Sequence, residues 1–339
     1  MLFSFICSVL FFVCLSKEVL PKEKDNKLTG ETLVDYVNKH QHFFKAEYSP
    51  KAELRMKHLM KVEYLKNSRK LYNVKKAEEH ASNEDIPENF DSRLVWKNCS
   101  SITYIRDQSN CGSCWAVSAA ETMSDRICIQ SGGRVQKMIS DVDILSCCGR
   151  LCGFGCYGGY PYEAWEYARR IGVVSGGRYR EKGVCRPYPF HPCGRHHGVF
   201  YSCPRDHGFE TPVCRKYCQF EYGKRYDNDK IFSKSTYMLP KDETAIQREI
   251  MKNGPVQAAF IIYEDFLFYK EGIYVHTYGE QRGGHAVKLI GWGVENGTNY
   301  WTIANSWNDD WGENGYFRIL RGVDHCGIES YVVSGEFNL

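Results

Sequence analysis

Cysteine content is the feature that most constrains this chain. The sequence of 339 residues contains 16 cysteines, and thirteen of them lie between Cys99 and Cys218. That density exceeds what a cytosolic enzyme of this size carries and indicates disulfides formed in an oxidising compartment. Cys111 and Cys114 form a C-x-x-C pair. Its spacing alone allows a redox dithiol, half of a zinc site, two disulfide halves, or a nucleophile beside a structural cysteine.

The amino terminus predicts export. Residues 1–16, MLFSFICSVLFFVCLS, form an uncharged apolar run that is too short to span a bilayer and is followed by polar residues. This pattern is typical of a secretory signal peptide. No later segment has the apolar length of a membrane helix, so we expect no membrane partner and a route through the secretory pathway.

Residues 17–85 differ in composition from the rest of the chain. They contain no cysteine or tryptophan, are rich in Lys and Glu, and carry the whole formal net charge of +3. The neutral remainder has no basic stripe that would follow nucleic acid phosphates. Within the segment, AELRMKHLMKVEYLK predicts a short amphipathic helix. We predict a removable propeptide over 17–85, with a permanently attached helical domain as the alternative.

Residues 86–339 contain two different sequence patterns, one helical and one β-rich. Helical stretches such as CWAVSAAETMSDRIC and YEAWEYARR precede about residue 171, and β-rich runs such as VQAAFIIY and HAVKLIGWGV follow residue 231. Between them, residues 183–226 are loop-like and hold five cysteines. The pattern predicts an α+β protein.

Cys114 is the candidate nucleophile. It begins the predicted helix CWAVSAAETMSDR, where unpaired backbone N–H groups and the helix dipole favour a thiolate. His285, after two glycines, is the candidate base, and Asn305 is the candidate group that orients its ring. Trp307 would shield their hydrogen bond from water. Gln108 would donate to a developing oxyanion together with the Cys114 amide.

The motifs DQSNCGSCWA, CCGRLCGFGCYGGYP, GGHAVKLIGWGVENGTNYW and ANSWNDDWGENGYFRI resemble those of papain-like cysteine peptidases of the cathepsin B type, and the resemblance covers residues 86–339. It implies a papain-like two-domain fold, with a helical left domain, a β-barrel-like right domain and the active site in the cleft between them. It also implies peptide hydrolysis through a thiolate–imidazolium pair and an acyl-enzyme, as an endopeptidase with peptidyl-dipeptidase activity. No metal or cofactor is implied.

The resemblance also implies a disulfide framework that leaves Cys114 and Cys326 free. The implied bridges are Cys99–Cys128, Cys111–Cys156, Cys147–Cys214, Cys148–Cys152, Cys185–Cys218 and Cys193–Cys203.

An insertion separates the candidate nucleophile from its base. Cys114 and His285 are 171 residues apart, whereas about 130–150 is typical of this family. The extra residues correspond to an occluding loop over about 185–218. By resemblance, His196 and His197 would bind a substrate's terminal carboxylate, and one of them would pair with Asp107.

Two departures weaken this clamp. The histidines stand one position further from Cys193 than is usual, and GVFYS contains no arginine to reach Asp310. We therefore expect a loosely held loop and strong endopeptidase activity.

Substrate subsites also follow from the resemblance. Gly158 and Gly159 would pair with an extended substrate backbone. The pocket for the second residue before the scissile bond would be lined by Tyr160, Pro161, Ala259, Gly284, Ala286 and Tyr331. Tyr331 replaces a glutamate of mammalian cathepsin B that accepts arginine, so we expect apolar and aromatic residues to be preferred.

Expected partners are protein and peptide substrates, the chain's own propeptide lying backwards through the cleft as an inhibitor, and cystatin-type inhibitors. YWTIANSWNDDWGE resembles a pattern of gut peptidases in blood-feeding worms, which suggests haemoglobin as a substrate. The destination is lysosomal or extracellular, including a gut lumen. Sequons at Asn98 and Asn296 are glycosylation candidates. The competing hypotheses are a thiol–disulfide oxidoreductase using Cys111 and Cys114, and an inactive Cys-rich binding protein.

Overall fold

The structure is a computed structural model that describes residues 27–66, 85–196, 198–203 and 208–339. The predicted signal peptide, residues 1–16, lies outside the described residues. So does His197, one of the two loop histidines. Among the residues that are described, no helix combines the length and apolar character needed to cross a membrane.

Nine α-helices are described, of which the first three precede Ile86. They are α1 Gly30–His40, α2 Ala52–Arg55, α3 Glu63–Lys66, α4 Ser92–Val95, α5 Cys114–Gln130, α6 Asp141–Cys147, α7 Pro161–Arg170, α8 Tyr226–Asp229 and α9 Glu243–Asn253.

Helix α5 is the central helix. Every residue from Cys114 to Cys128 is buried, the polar ones included, because the helix is covered on all sides. It packs against α6, α7 and the long strand Gln281–Glu295. Helix α7 begins with Pro161 in its first turn, where the missing proline N–H costs no hydrogen bond.

The described residues also form eleven strands. They are β1 Phe44–Ala46, β2 Phe90–Asp91, β3 Arg195–His196, β4 Val199–Phe200, β5 Tyr237–Met238, β6 Val256–Tyr263, β7 Tyr269–Tyr274, β8 Gln281–Glu295, β9 Thr298–Ala304, β10 Tyr316–Leu320 and β11 Val332–Ser334.

Nine of these strands form one sheet in the order β1-β7-β10-β9-β8-β6-β11-β5, with β2 paired to β8. The hairpin from β8 to β9 turns at Asn296 and Gly297, which both have positive φ as this tight turn requires. The sheet is open among the described residues, so the predicted barrel-like right domain is wrong in that respect. The end strands β1 and β5 are only three and two residues long, too short to close the sheet.

The segment before Ile86 is integrated into this fold. Strand β1 adds to the sheet by antiparallel pairing with β7. The single helix predicted over AELRMKHLMKVEYLK is instead divided into α2 and α3. Between them the chain is pinned by reciprocal backbone hydrogen bonds of Met60 with Gly284, at 2.9 and 2.8 Å, which replace helical ones.

Two large apolar cores meet where α5 packs on β8. One core lies mainly around the sheet and includes Trp301 and Phe317. The other surrounds α5 and α7 and also contains Met60 and Tyr64 of the amino-terminal segment. The six disulfides in the structure pair the same cysteines that the resemblance implied, and Cys114 and Cys326 are free.

Candidate active site

Cys114 is the first residue of α5 and its side chain is completely buried. Burial raises the pKa of Cys114 to about 12, although the backbone amides of Ala286, Trp115, Cys114 itself and Met60 oppose the shift. In this closed form, burial therefore favours the protonated thiol over the thiolate that the sequence predicts.

His285 lies on β8 beside Asn305, which follows β9. Asn305 Oδ1 accepts from the Ser306 amide at 2.8 Å and from His285 Nε2 at 2.7 Å. Because the backbone amide must donate, the Asn305 atom is an oxygen, and the proton of the ring is on Nε2. His285 Nδ1 has no hydrogen-bond partner among the described residues. Nδ1 is therefore the ring nitrogen left to accept a proton.

The environment of His285 is apolar. The Trp307 ring stacks on it with centroids 4.8 Å apart. Shielding of the Asn305 hydrogen bond by this ring stays a prediction. Burial lowers the pKa of His285 to about 4, although the hydrogen bond to Asn305 opposes the shift. Both members of the expected ion pair are thus neutral in the closed form.

Gln108 is buried and tightly oriented. Its Oε1 accepts from the Ser306 hydroxyl at 2.7 Å, and its Nε2 donates to the Cys111 carbonyl at 2.9 Å. Ser306 therefore connects the amide proposed for the oxyanion site with Asn305, the residue that orients His285. Sequence reasoning missed Ser306.

Tyr188 is a second residue that sequence reasoning missed. Its buried hydroxyl donates to the Gln108 carbonyl at 2.8 Å and lies 2.8 Å from the Ser113 hydroxyl, one residue before Cys114. It lies near the start of the predicted occluding loop, about 185–218. The stem of that loop consequently supports the backbone on which the nucleophile stands.

The residues predicted for the substrate pocket are brought together. Ala259 on β6 faces Ala286 on β8, and the Ala259 amide donates to the Tyr331 carbonyl at 2.9 Å. Tyr331 is buried, with its hydroxyl 3.4 Å from the Tyr162 amide. Of the other residues predicted to line the pocket, Tyr160 packs against the buried cluster that contains Ala259, Ala286 and Tyr331, Pro161 begins α7, and Gly284 pairs with Met60. Gly158 and Gly159, predicted to pair with an extended substrate backbone, lie against Tyr64 and Trp115 respectively.

Residues 59–65 lie against the residues that were predicted to bind substrate. The Met60 pairing with Gly284 places Met60 against Cys114, and the Tyr64 ring packs edge-on against Tyr160 with centroids 4.9 Å apart. Gly158 has a φ of 114°, and a Cβ there would stand 2.6 Å from the Tyr64 ring. The segment that precedes the body thus covers the candidate nucleophile.

Asp107 is half-buried at the foot of the predicted occluding loop. Its carboxylate accepts from the backbone amides of Ser109 and Cys193, each at 2.7 Å. Burial raises its pKa to about 6. His196 lies in the short hairpin of β3 and β4, where the structure describes its backbone alone. The Asp107–histidine contact therefore stays a prediction.

Two further predictions can be placed. Cys111 is bonded to Cys156, so the Cys111–Cys114 dithiol of the oxidoreductase hypothesis does not exist in this structure. The sequon residues Asn98 and Asn296 are both exposed.

Comparison with known proteins agrees with this geometry. Residues 86–336 match the profile of the papain family cysteine proteases. The chain belongs to the papain family. Cathepsin B-like cysteine proteinase 2 of Haemonchus contortus is 51% identical over 309 residues, covering 91% of this chain and 89% of that protein. The gut-specific cysteine proteinase of Caenorhabditis elegans is 49% identical over 310 residues, covering 91% of each.

Among solved structures, procathepsin B S9 of Trypanosoma congolense is similar, with a TM-score of 0.78 and 37% identity over 91% of this chain and 98% of that one. This papain-family chain is accordingly a cathepsin B-like cysteine peptidase in zymogen form, with disulfides.

Proposed function

We propose that residues 86–339 hydrolyse peptide bonds with Cys114 as nucleophile and His285 as general base and acid, after residues 17–85 have been removed. The observation that carries the proposal is the extended backbone pairing of Met60 with Gly284 against Cys114. A substrate strand would use the same Gly284 groups, so the propeptide occupies its place and inhibits.

The chemistry follows from the positions of the groups. Proton transfer from Cys114 to His285 Nδ1 gives the thiolate, which adds to the substrate carbonyl while the ring is held by Asn305. Gln108 Nε2 and the Cys114 amide donate to the oxyanion. His285 then returns its proton to the leaving amine, and an acyl-enzyme remains. Water, deprotonated by His285, adds to this thioester; the acyl–sulfur bond then breaks, the acid is released, and the proton on His285 returns to the Cys114 sulfur.

Subsite chemistry favours apolar residues at the second position before the scissile bond. The pocket contains the small side chains of Ala259 and Ala286 and is closed by the buried Tyr331. The residue at the base of the pocket is Tyr331 and not a glutamate. An arginine that entered the pocket would therefore find no carboxylate to pair with its charge. Protein substrates, haemoglobin among them, and cystatin-type inhibitors remain part of this proposal.

Export belongs to the same proposal. Six disulfides support passage through an oxidising compartment, and the destination would be a lysosome or an extracellular space such as a gut lumen. The Caenorhabditis elegans relative is named gut-specific, which agrees with that last site. Glycans at Asn98 and Asn296 would be acquired on the way.

The test is acid activation of the purified full-length chain beside a Cys114→Ser control. Mildly acidic pH should yield a chain that starts near Ile86, seen by mass spectrometry, together with peptide hydrolysis. Cys114→Ser should stay full-length and lose on the order of a thousand-fold or more in turnover. Hydrolysis that persists in the serine variant would refute the assignment of the nucleophile.

A further inference from the structure

Asp310 holds a cation that the propeptide supplies. Lys51 Nζ lies 2.7 Å from Asp310 Oδ2, and both side chains are about one-third exposed, at 31% and 34%. The same ammonium lies 5.7 Å from the ring centroid of Phe200 on β4, a range in which an aromatic face attracts a cation. A carboxylate and an aromatic ring thus form a cradle that is occupied by a lysine side chain.

The cradle lies at a defined end of the cleft. The propeptide contacts Asp310 through Lys51, reaches Cys114 at Met60, and packs against Gly158 and Tyr160 through Tyr64. Along the propeptide, the contact with Asp310 thus precedes the contact with Cys114, and the contact between Tyr64 and Tyr160 follows it, which is the order expected if Asp310 and Tyr160 lie towards opposite ends of the cleft. Under the proposed function, residues before the scissile bond bind beside Gly158, so residues after it approach Asp310.

A second propeptide cation reinforces the match of charge. Arg55 lies close enough to Asp310 and Asp107 for both carboxylates to stabilise its charge, while its Nη1 donates to the Leu267 carbonyl at 3.0 Å. Among the described residues, the ion pair of Asp310 is made with Lys51. Removal of the propeptide therefore leaves this end of the cleft acidic, with the cradle vacated.

We propose that Asp310 and Phe200 form a subsite for a lysine or arginine side chain that follows the scissile bond of a substrate, and that Lys51 occupies this subsite in the zymogen. The inference rests on the proposed function and deepens it. The propeptide would thus place a positive charge where a substrate places one, although the propeptide chain runs through the cleft in the opposite direction to a substrate.

The experiment uses acid-activated enzyme and internally quenched peptides that share one unprimed half. A lysine is moved through successive positions after the scissile bond, and each peptide is compared with its norleucine counterpart, which has similar length and no charge. We expect kcat/KM to be about two- to five-fold higher for lysine at one position, the range of a partly exposed ion pair. Asp310→Asn should abolish this ratio.

Asp309→Asn is the matched control, since Asp309 is the adjacent exposed carboxylate; it should keep the preference. In the unmodified enzyme, added salt should reduce the ratio of kcat/KM for the lysine peptide to that for the norleucine peptide towards one. This measurement does not depend on the folding of any variant. A ratio of one at every position, or a preference that survives in Asp310→Asn, would overturn the subsite. Failure of the proposed function would differ, because no peptide in the series would then be cleaved.

Discussion

At the scale of residues, the candidate site depends on a few hydrogen bonds that fix protons. The Ser306 amide decides which Asn305 atom is oxygen, and that oxygen decides that His285 Nε2 carries the proton. His285 Nδ1 is then left as the acceptor for the Cys114 proton. The Ser306 hydroxyl likewise fixes the amide of Gln108. Ser306 thus orients both the Asn305 amide that holds the proposed base and the Gln108 amide proposed as the oxyanion donor.

Tyr331 leads to a prediction about specificity. The unmodified enzyme should cleave a peptide with phenylalanine at the second position before the scissile bond roughly ten-fold faster, as kcat/KM, than one with arginine. Tyr331→Glu should reverse this preference, because it places a carboxylate at the base of the pocket. The measurement is kcat/KM for the two peptides.

Tyr331→Gln is the control for that experiment, since glutamine matches glutamate in size and lacks its charge. It should not gain arginine cleavage. An unmodified enzyme that already prefers arginine would show that Tyr331 does not close the pocket.

The residues of the site divide into those that a sequence can predict and those that it cannot. Cys114, His285, Asn305 and Gln108 stand in motifs whose chemistry is legible along the chain. Tyr188 does not, because its effect depends on a hydroxyl that reaches Gln108 and Ser113 from about 75 residues away or more. Contacts of this kind exist only after folding.

At the scale of elements, the packing of α5 on β8 creates the site, since one carries Cys114 and the other His285. The sequence predicted both elements from their apolar runs. It did not predict β1, because three residues of an edge strand carry no periodicity and depend on the open edge of β7. Nor did it predict the break between α2 and α3, which the pairing of Met60 with Gly284 imposes.

The loop over about 185–218 leads to a prediction about exopeptidase activity. Both carboxylate oxygens of Asp107 already accept backbone amides, and the loop sequence GVFYS contains no arginine to reach Asp310. We therefore expect a weak clamp. One peptide with a free and with an amidated carboxyl terminus should be cleaved at rates within about ten-fold of each other at mildly acidic pH.

A much larger preference for the free acid in that comparison would mean that the loop histidines do hold the substrate carboxylate. Liquid chromatography of the products would then show removal of carboxyl-terminal dipeptides in place of internal cleavage.

At the scale of the whole molecule, the chain combines the peptidase body and its inhibitor in one fold. The propeptide adds strand β1 to the sheet, fills the cleft with Met60 and Tyr64, and pairs Lys51 with Asp310. With the propeptide in place Cys114 and His285 are completely buried, and burial favours the uncharged form of each. Removing the propeptide is expected both to uncover the pair and to allow it to ionise.

The sign of the pH effect follows from the two pKa values. With the pKa of Cys114 raised to about 12 and that of His285 lowered to about 4, the closed form holds thiol and neutral imidazole throughout the range between them. Because the thiolate is the reactive species, Cys114 should react slowly there. Once the cleft admits water, the ion pair should form and the reaction should accelerate.

The most direct measurement is the rate of iodoacetamide alkylation at Cys114, followed by peptide mass spectrometry in the zymogen and in the processed enzyme at the same mildly acidic pH. Cys326, the other free thiol, serves as the internal control. We predict that the alkylation rate at Cys114 increases on the order of a hundred-fold or more on processing, with little change in the rate at Cys326. Equal rates at Cys114 in the two forms, or an unreactive Cys114 in the processed enzyme, would contradict it.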